Sequence, residues 1–347
     1  MATSSLNYSN QNHRKMKREN DLIPLIADPE NLRLAFWNAR KSKDGKMEVA
    51  DFRKTLDKNL LLLRNELLSG NMQVGNYHYF TIYDPKERKI CAALFRERVL
   101  HHAIMNVCHA NFEKYQISDS YASRMGKGTY AAIERAAGFQ KKYKWFLKLD
   151  VRKYFDSIDH EVLKSMIRKR FKDPALLHVF FQIIDSYQII VGKGLPIGNL
   201  TSQYFANHYL AFADHHIKEK LHAQAYVRYM DDMVIWADDK NSLLNMGIEF
   251  QKFIESELSL TLKPFCLNST DKGLPFLGYV LFPTAVLLNN RSRKRFKTKM
   301  KQYTYKLNNE EWSQIEYQAH VLPLIAFVKH ANTFSLRTKY VELINTG

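Results

Sequence analysis

Three aspartates stand where chemistry could be done. Asp150 closes the apolar run Trp145-Phe-Leu-Lys-Leu-Asp-Val151, and Asp231-Asp232 sit between the apolar arms Ala225-Tyr226-Val227 and Met233-Val234-Ile235-Trp236. Buried carboxylates cost free energy unless they are paired or metal-bound. Three brought together would repel one another, and their pKa values would rise. A divalent cation resolves that conflict. Mg²⁺ takes one or two carboxylates together with water and substrate phosphates. Two such ions can activate a hydroxyl and stabilise a leaving pyrophosphate in an in-line displacement. Alone, an Asp-Asp pair reads as an ordinary turn. Here the pair lies 81 residues after the first aspartate (231 − 150), with a glycine-rich turn and a long helix between them. That order suits strands from two parts of the chain meeting in one sheet.

The surrounding pattern supplies elements to position these groups. Pro29 to Leu68 reads as helices, with Leu32, Leu34, Phe36, Trp37, Phe52, Leu56, Leu60, Leu61 and Leu63 as the recurring apolar positions. Tyr77–Tyr83 is strand-like, ended by Asp84-Pro85, with Lys89–Leu94 as a hairpin partner. Arg96–Tyr115 and Thr129–Gln140 read as helices on either side of the Gly126-Lys-Gly128 turn. Trp145–Val151 is a buried strand, followed by helices at His160–Arg170 and Pro174–Ser186. The turn-rich segment Gly192–Asn199 precedes a long helix, Leu200–Leu221. Tyr226–Trp236 reads as two short strands with Asp231-Asp232 at the tip, then comes a helix at Lys240–Leu258. Leu260–Lys263 and Phe276–Phe282 are strand-like, and the last sixty residues are helical and basic.

Lys plus Arg is 52 and Asp plus Glu is 35, so the formal charge is 52 − 35 = +17 over 347 residues. This balance suits a polyanionic partner. The three cysteines, Cys91, Cys108 and Cys266, form no CxxC pair, and the thirteen histidines show no ligand spacing. A disulfide framework and a zinc site are therefore not expected, and a reducing, cytoplasmic setting is. The longest apolar stretch is Val321–Val328, far below the roughly 20 residues of a membrane span. No secretory h-region is visible, and the polar, basic stretch Met1–Asn20 reads as a flexible arm.

Several motifs then carry a resemblance. Phe146-Leu-Lys-Leu-Asp-Val-Arg-Lys-Tyr-Phe-Asp-Ser-Ile158 resembles the first palm motif of reverse transcriptases, and Tyr229-Met-Asp-Asp232 their Tyr-x-Asp-Asp motif. Phe276-Leu-Gly-Tyr279 resembles their primer-grip turn, and Leu260-Thr-Leu-Lys263 the motif before it. Single motifs are weak, but their joint order from Tyr77 to Phe282 is specific. The resemblance implies an α+β right-hand polymerase fold. Its expected parts are a basic arm at 1–20, interleaved fingers and palm at 21–285, and a helical thumb at 286–347. It implies two Mg²⁺ ions, with Mn²⁺ as an alternative, at Asp150, Val151, Asp231 and Asp232. Asp150 and Asp231 would be the most direct ligands, with Asp232 supporting them. It also implies a steric gate at Phe155, assistance to pyrophosphate departure from Lys263, and a primer grip at Phe276, Leu277, Gly278 and Tyr279. Template RNA, cDNA and deoxynucleotide triphosphates would be the substrates, with no membrane involved.

One segment narrows the resemblance. Gly194-Leu-Pro-Ile-Gly-Asn-Leu-Thr-Ser-Gln-Tyr-Phe-Ala-Asn207 carries Ile197-Gly198 and Ser202-Gln203 where most relatives have Gln-Gly and Ser-Pro. This form resembles the enzymes of diversity-generating retroelements, as do Ser120–Thr129, Phe95–His102 and the compact length. Those enzymes copy a template-repeat RNA into cDNA with frequent errors at adenines. They work with a small basic accessory protein, the accessory variability determinant, expected to be oligomeric. Group II intron, retron and host-defence enzymes are the alternatives, as is an idle nucleic-acid-binding scaffold of the same fold. In this frame Ile197, Gly198 and Gln203 face the nucleotide. Lys89, Arg96, Arg98 and Arg124 are candidates for phosphate contacts. The dense run holding Arg291, Arg293, Lys294, Arg295, Lys297 and Lys299 is expected to follow a template–primer duplex.

Overall fold

A computed structural model describes residues 21–83 and 87–345, with side chains of 341–345 left aside. The expected arm at Met1–Asn20 and the Asp84-Pro85 strand end lie outside the described residues. The chain divides into two compact units. One is assembled from the segment ending at Gly75, Phe95–Val107 and Lys164–Ser186. The other comprises Asn76–Leu94, Cys108–Leu163 and the chain from Tyr187 onward.

The first unit is helical. Helix Pro29–Arg40 starts where sequence chemistry says it should: the Asp28 carboxylate accepts from the Glu30 and Asn31 amides, and Pro29 supplies the preset φ of a first helical residue. Leu32 and Phe36, one turn apart, are buried, whereas Leu34 and Trp37 remain 52% and 43% exposed. The apolar run around them therefore overstated the core. Asp173 caps helix Pro174–Asp185 with one oxygen, and its other oxygen accepts from the Leu22 and Ile23 amides, which ties the first residues of the unit to that helix.

The second unit holds every strand among the described residues. Strands β1 (Tyr77–Tyr83) and β2 (Glu87–Ala93) form an antiparallel ribbon. Strands β3 (Trp145–Asp150), β4 (Ala225–Tyr229), β5 (Asp232–Ala237) and β6 (Cys266–Ser269) form an antiparallel sheet of order β4-β5-β3-β6. Strands β7 (Leu274–Phe276), β8 (Tyr279–Leu281) and β9 (Val286–Leu288) form a small meander. The four-stranded sheet is covered on both faces, which is why its central strands read as nearly continuous apolar runs rather than alternating ones. Phe146, Val227, Val234 and Trp236 pack with Ala132, Ile133 and Ala136 of helix Thr129–Lys142. The buried Trp236 indole donates to the Gln140 amide oxygen at 2.9 Å, which satisfies its one polar atom. On the opposite face, Gly247 of helix Lys240–Leu258 admits Leu147: a Cβ there would sit 2.6 Å from the leucine methyl.

Most element boundaries agree with the sequence reading, with three differences. Leu260–Lys263 forms no strand of its own, and its backbone ladder with β3's extension is limited to the single bridge Val151–Leu262. Phe276–Phe282 is two strands broken at Leu277-Gly278, both at positive φ (48° and 93°). The helix expected to run to Leu221 is α-helical over Leu200–His215 and closes in a π turn, His216–Lys220. Three helices, Asn290–Asn308, Gln314–Lys329 and Phe334–Asn345, follow the meander. They share a small core of Phe296, Met300, Tyr317, Val321, Val328 and Tyr340. No helix among the described residues is long and apolar enough to cross a membrane.

Candidate active site

The three expected aspartates converge on one end of the four-stranded sheet. Asp150, the last residue of β3, is register-paired with Asp232, the first residue of β5. Asp231 lies in the tight turn between β4 and β5, preceded by Met230 at φ 53°. Like charges directly opposite on antiparallel strands destabilise a sheet, so the site needs positive charge. Two lysines provide it. Lys263 Nζ donates to Asp150 Oδ1 at 2.7 Å, and Lys148 Nζ lies 3.0 Å from Asp232 Oδ1. Lys263 is also held by its backbone: its amide donates to the Asp150 carbonyl at 2.8 Å, and the Arg152 amide to the Thr261 carbonyl at 2.8 Å. Asp231 has no such lysine contact. Burial pushes its carboxyl up to about 6, and the Asp150 and Asp232 charges add to the shift. A carboxyl held that high marks a place where a cation would be welcome.

Among the described residues, no three His, Cys, Asp or Glu side chains are grouped as a ready-made metal cage. The sequence reading foresaw three clustered metal ligands; the sheet brings the residues together while lysines occupy two of the carboxylates. The donor set fits a hard divalent ion: three carboxylates, one of them raised by burial and its acidic neighbours. Val151, the other expected ligand, is buried, and its backbone forms the bridge to Leu262. A cleft of about 520 Å³ next to Asp150 is lined by Arg152, Lys153, Ser157, Thr261, Lys263 and Pro264, a strongly cationic set.

The loop after residue 190 folds over this neighbourhood. The Leu195 amide donates to the Phe155 carbonyl at 2.8 Å, and the Gly194 amide to the Ile158 carbonyl at 2.9 Å. The Phe155 ring is half-buried and meets Tyr154 edge-on at 5.7 Å. On its other side the loop docks on β2. The Cys91 amide donates to the Ile197 carbonyl at 2.9 Å, and Asn199 bonds both the Ala93 amide and the Cys91 carbonyl, at 2.9 and 3.1 Å. Gly198 is at φ 119°, and a Cβ there would come within 2.9 Å of Ile90. Gln203 accepts from the Ser123 hydroxyl at 3.1 Å. Ile197 and Gly198 are thus held against the ribbon, while Phe155 is tied to the loop through Leu195 and Gln203 to Ser123.

The basic residues separate into two groups. Arg124 was expected to meet phosphate. Its side chain is only 8% exposed, and it is turned inward onto the Glu113 carboxylate and the Ile117 and Ser120 carbonyls. A buried guanidinium must be paired, and Glu113 pairs it, so Arg124 shapes the loop instead. Arg96 pairs with Glu66 and Arg98 with Glu48, both inside the helical unit. Lys89 remains exposed on the ribbon with its ammonium 4.8 Å from the centre of the Tyr79 ring. On helix Asn290–Asn308, Phe296 and Met300 face inward, Arg291, Arg293, Lys294 and Arg295 are exposed, and Lys297 and Lys299 are half-buried. In the expected primer grip, Phe276 and Tyr279 are core residues, and the Tyr279 hydroxyl donates to the Phe327 carbonyl at 2.6 Å. Only the Leu277-Gly278 turn is partly accessible, because strand alternation on either side of it points both rings inward.

Two contributors escaped the sequence reading. Lys148, two residues before Asp150, bonds both Asp232 and the Pro275 carbonyl, and so links β3 to the meander. Arg228, fully buried next to the aspartate hairpin, pairs with Asp214 of helix Leu200–His215. A charged residue inside an apolar strand was the available signal for each.

A family model described as Reverse transcriptase (RNA-dependent DNA polymerase) matches residues 84–281. A COX1/OXI3 intron 1 protein of Saccharomyces cerevisiae is 23% identical over 223 residues, which is 60% of this chain and 26% of that protein. Protein YkfC of Escherichia coli is 26% identical over 219 residues, 57% of each. The chain therefore spans between about a quarter and three-fifths of the length of these relatives. Among solved structures, a Candida tropicalis telomerase with a fragment of telomeric RNA aligns at 13% identity and TM-score 0.49, over 83% of this chain and 58% of that one.

Proposed function

The chain belongs to the reverse transcriptase family, and on that premise we propose that it is an RNA-directed DNA polymerase whose centre is the end of the four-stranded sheet. The observation that carries this reading is the cross-strand pair Asp150–Asp232 with Asp231 in the adjoining turn. Asp150 and Asp231 would hold Mg²⁺ (or Mn²⁺) most directly, supported by Asp232 and Val151. When bound, two such ions supply Lewis-acid activation of the primer hydroxyl and neutralise charge on the leaving pyrophosphate. The remaining tasks fall to the chain's own groups. Lys263 and Lys148 balance the carboxylates, and Lys263 turns toward departing pyrophosphate. Phe155 packs beneath the sugar and excludes a 2′-hydroxyl. Ile197, Gly198 and Gln203 border the base pair, and Lys89 meets template or nucleotide phosphate. Of the Phe276–Tyr279 segment, the accessible Leu277-Gly278 turn steadies the primer end. The exposed cations of helix Asn290–Asn308 follow the duplex backbone, in a thumb at 286–347 beyond fingers and palm at 21–285.

The finer reading is a diversity-generating retroelement enzyme that makes adenine-mutagenised cDNA from a template-repeat RNA in the cytoplasm, with an oligomeric accessory variability determinant as partner. Its support is the pair Ile197-Gly198 and Ser202-Gln203. The likeness to a protein named for an intron and to an intron maturase favours a second reading, an intron-type enzyme. A neighbouring pair of DNA repeats that differ mainly at adenines decides for the first; flanking intron sequence decides for the second.

The enzymatic reading is tested by primer extension on RNA with Mg²⁺. Asp150→Ala and Asp231→Ala are expected to abolish synthesis while leaving RNA affinity nearly intact, because affinity comes mainly from the basic surface. Residual synthesis above a few per cent of the unmodified chain in the double variant rejects the assignment. If the unmodified chain binds RNA and makes no DNA, the chain is a scaffold of polymerase fold.

A further inference from the structure

We propose that Arg228 is a positioning residue that clamps the Met230–Asp231 turn from inside the core and so sets the aim of the catalytic carboxylates. The kinetic consequence rests on the polymerase reading above; the clamp itself does not.

Arg228 and Asp214 are both 0% exposed. The guanidinium donates to both Asp214 oxygens at 2.7–2.9 Å, to Asn207 Oδ1 at 3.1 Å and to Gln116 Oε1 at 3.2 Å. Its Nη1 also reaches forward to the Met230 carbonyl at 3.3 Å. The Tyr226 hydroxyl donates to Asp214 Oδ1 at 2.7 Å, so two alternate residues of β4 are anchored to one carboxylate of helix Leu200–His215. The Arg228 backbone is held from the other side: its amide donates to the Asp119 carbonyl at 2.9 Å, and its carbonyl accepts from the Tyr121 amide at 3.0 Å.

This is more than core filling requires. A buried ion pair is often replaceable by apolar residues of similar volume without loss of stability. A salt bridge here therefore calls for a task that apolar packing cannot perform, and the bond to Met230 is such a task. Met230 occupies the left-handed region (φ 53°), which a residue with a Cβ resists unless its surroundings impose it. Its carbonyl belongs to the peptide unit that leads into Asp231. Arg228 is the side chain that bonds this carbonyl, and its planar fork lets one group hold Asp214 and Met230 together.

Two variants test the clamp. Arg228→Lys keeps a charge for Asp214 but lacks the fork whose separate nitrogens serve Asp214 and Met230. Arg228→Met with Asp214→Asn removes both charges and still leaves Tyr226 an acceptor. Each variant is measured for melting temperature, amide hydrogen exchange over Tyr229–Met233, and primer extension with Mg²⁺. The expected result is faster exchange at the turn in folded protein, with kcat down about 100-fold, the scale of a one-ångström misplacement. Nucleotide KM and affinity for primed template should be unchanged. Rescue of kcat toward normal by Arg228→Lys, with normal exchange, would show that charge compensation alone is its role and overturn the proposal. So would normal exchange in both folded variants. If the unmodified chain makes no DNA, the polymerase reading fails, and the exchange measurement still decides the clamp.

Discussion

Asn199 offers the most quantitative test of how the loop at 190–199 is held, and of its proposed role in nucleotide binding. It stands at the N-cap position of helix Leu200–His215, where asparagine ordinarily caps the helix with its side chain. Here that side chain makes no cap and instead bonds β2 twice, to the Ala93 amide and the Cys91 carbonyl. Together with the Cys91 amide bonded to the Ile197 carbonyl, this is the polar attachment of the loop to the ribbon. Asn199→Ala removes both side-chain bonds. At a net worth of about 1 kcal/mol each, the attachment weakens by about 2 kcal/mol. That corresponds to about a 30-fold shift toward an undocked loop. The expected outcome is a rise in nucleotide KM of up to about that factor, with affinity for primed template unchanged, since the basic helix is elsewhere in the chain. Asn199→Asp is the companion variant. It keeps the acceptor for Ala93 and sets a carboxylate oxygen against the Cys91 carbonyl, so it should not rescue. Steady-state single-nucleotide incorporation with circular dichroism as the folding control measures both. Unchanged nucleotide KM in folded Asn199→Ala would refute the idea that loop docking on β2 supports nucleotide binding.

Three further outcomes are expected. Phe155→Ala should raise the ratio of ribo- to deoxynucleotide incorporation; an unchanged ratio makes Phe155 a packing residue only. Ile197→Gln adds an amide where the loop carries no side-chain donor or acceptor, and should lower errors opposite template adenine several-fold, the worth of about 1 kcal/mol. Deep sequencing of cDNA made on one RNA checks this, and an equal or higher adenine error frequency at comparable yield counts against it. Arg293→Ala and Lys294→Ala should each weaken duplex binding regardless of sequence and reduce the slope of log affinity against log salt by about 1. A slope that does not move means these cations meet solvent rather than phosphate.

What the sequence by itself determined is local and patterned. Apolar runs bounded by turn residues located β3, β4 and β5, and helix Lys240–Leu258 was read with the bounds the structure shows, its start capped by Asp239. The order of the aspartate motifs implied that distant strands meet, and the register Asp150–Asp232 is that meeting. Tertiary structure alone decided which charges are spent inside. Arg124 and Lys89 look alike in the sequence, yet Glu113 draws the first inward, while the second stays on an exposed ribbon. Leu260–Lys263 has strand composition, but its backbone ladder with β3's extension is limited to one bridge, so it forms no strand. Phe276 and Tyr279 were assigned to a grip on a ligand, and the alternation of β7 and β8 turns both rings into the core. Arg228 could not be read at all, because its meaning depends on Asn207 and Asp214 of one helix and Gln116 from a distant loop reaching one buried point. Periodicity reports which face of an element is buried; the partner of a buried charge is set only when the elements pack.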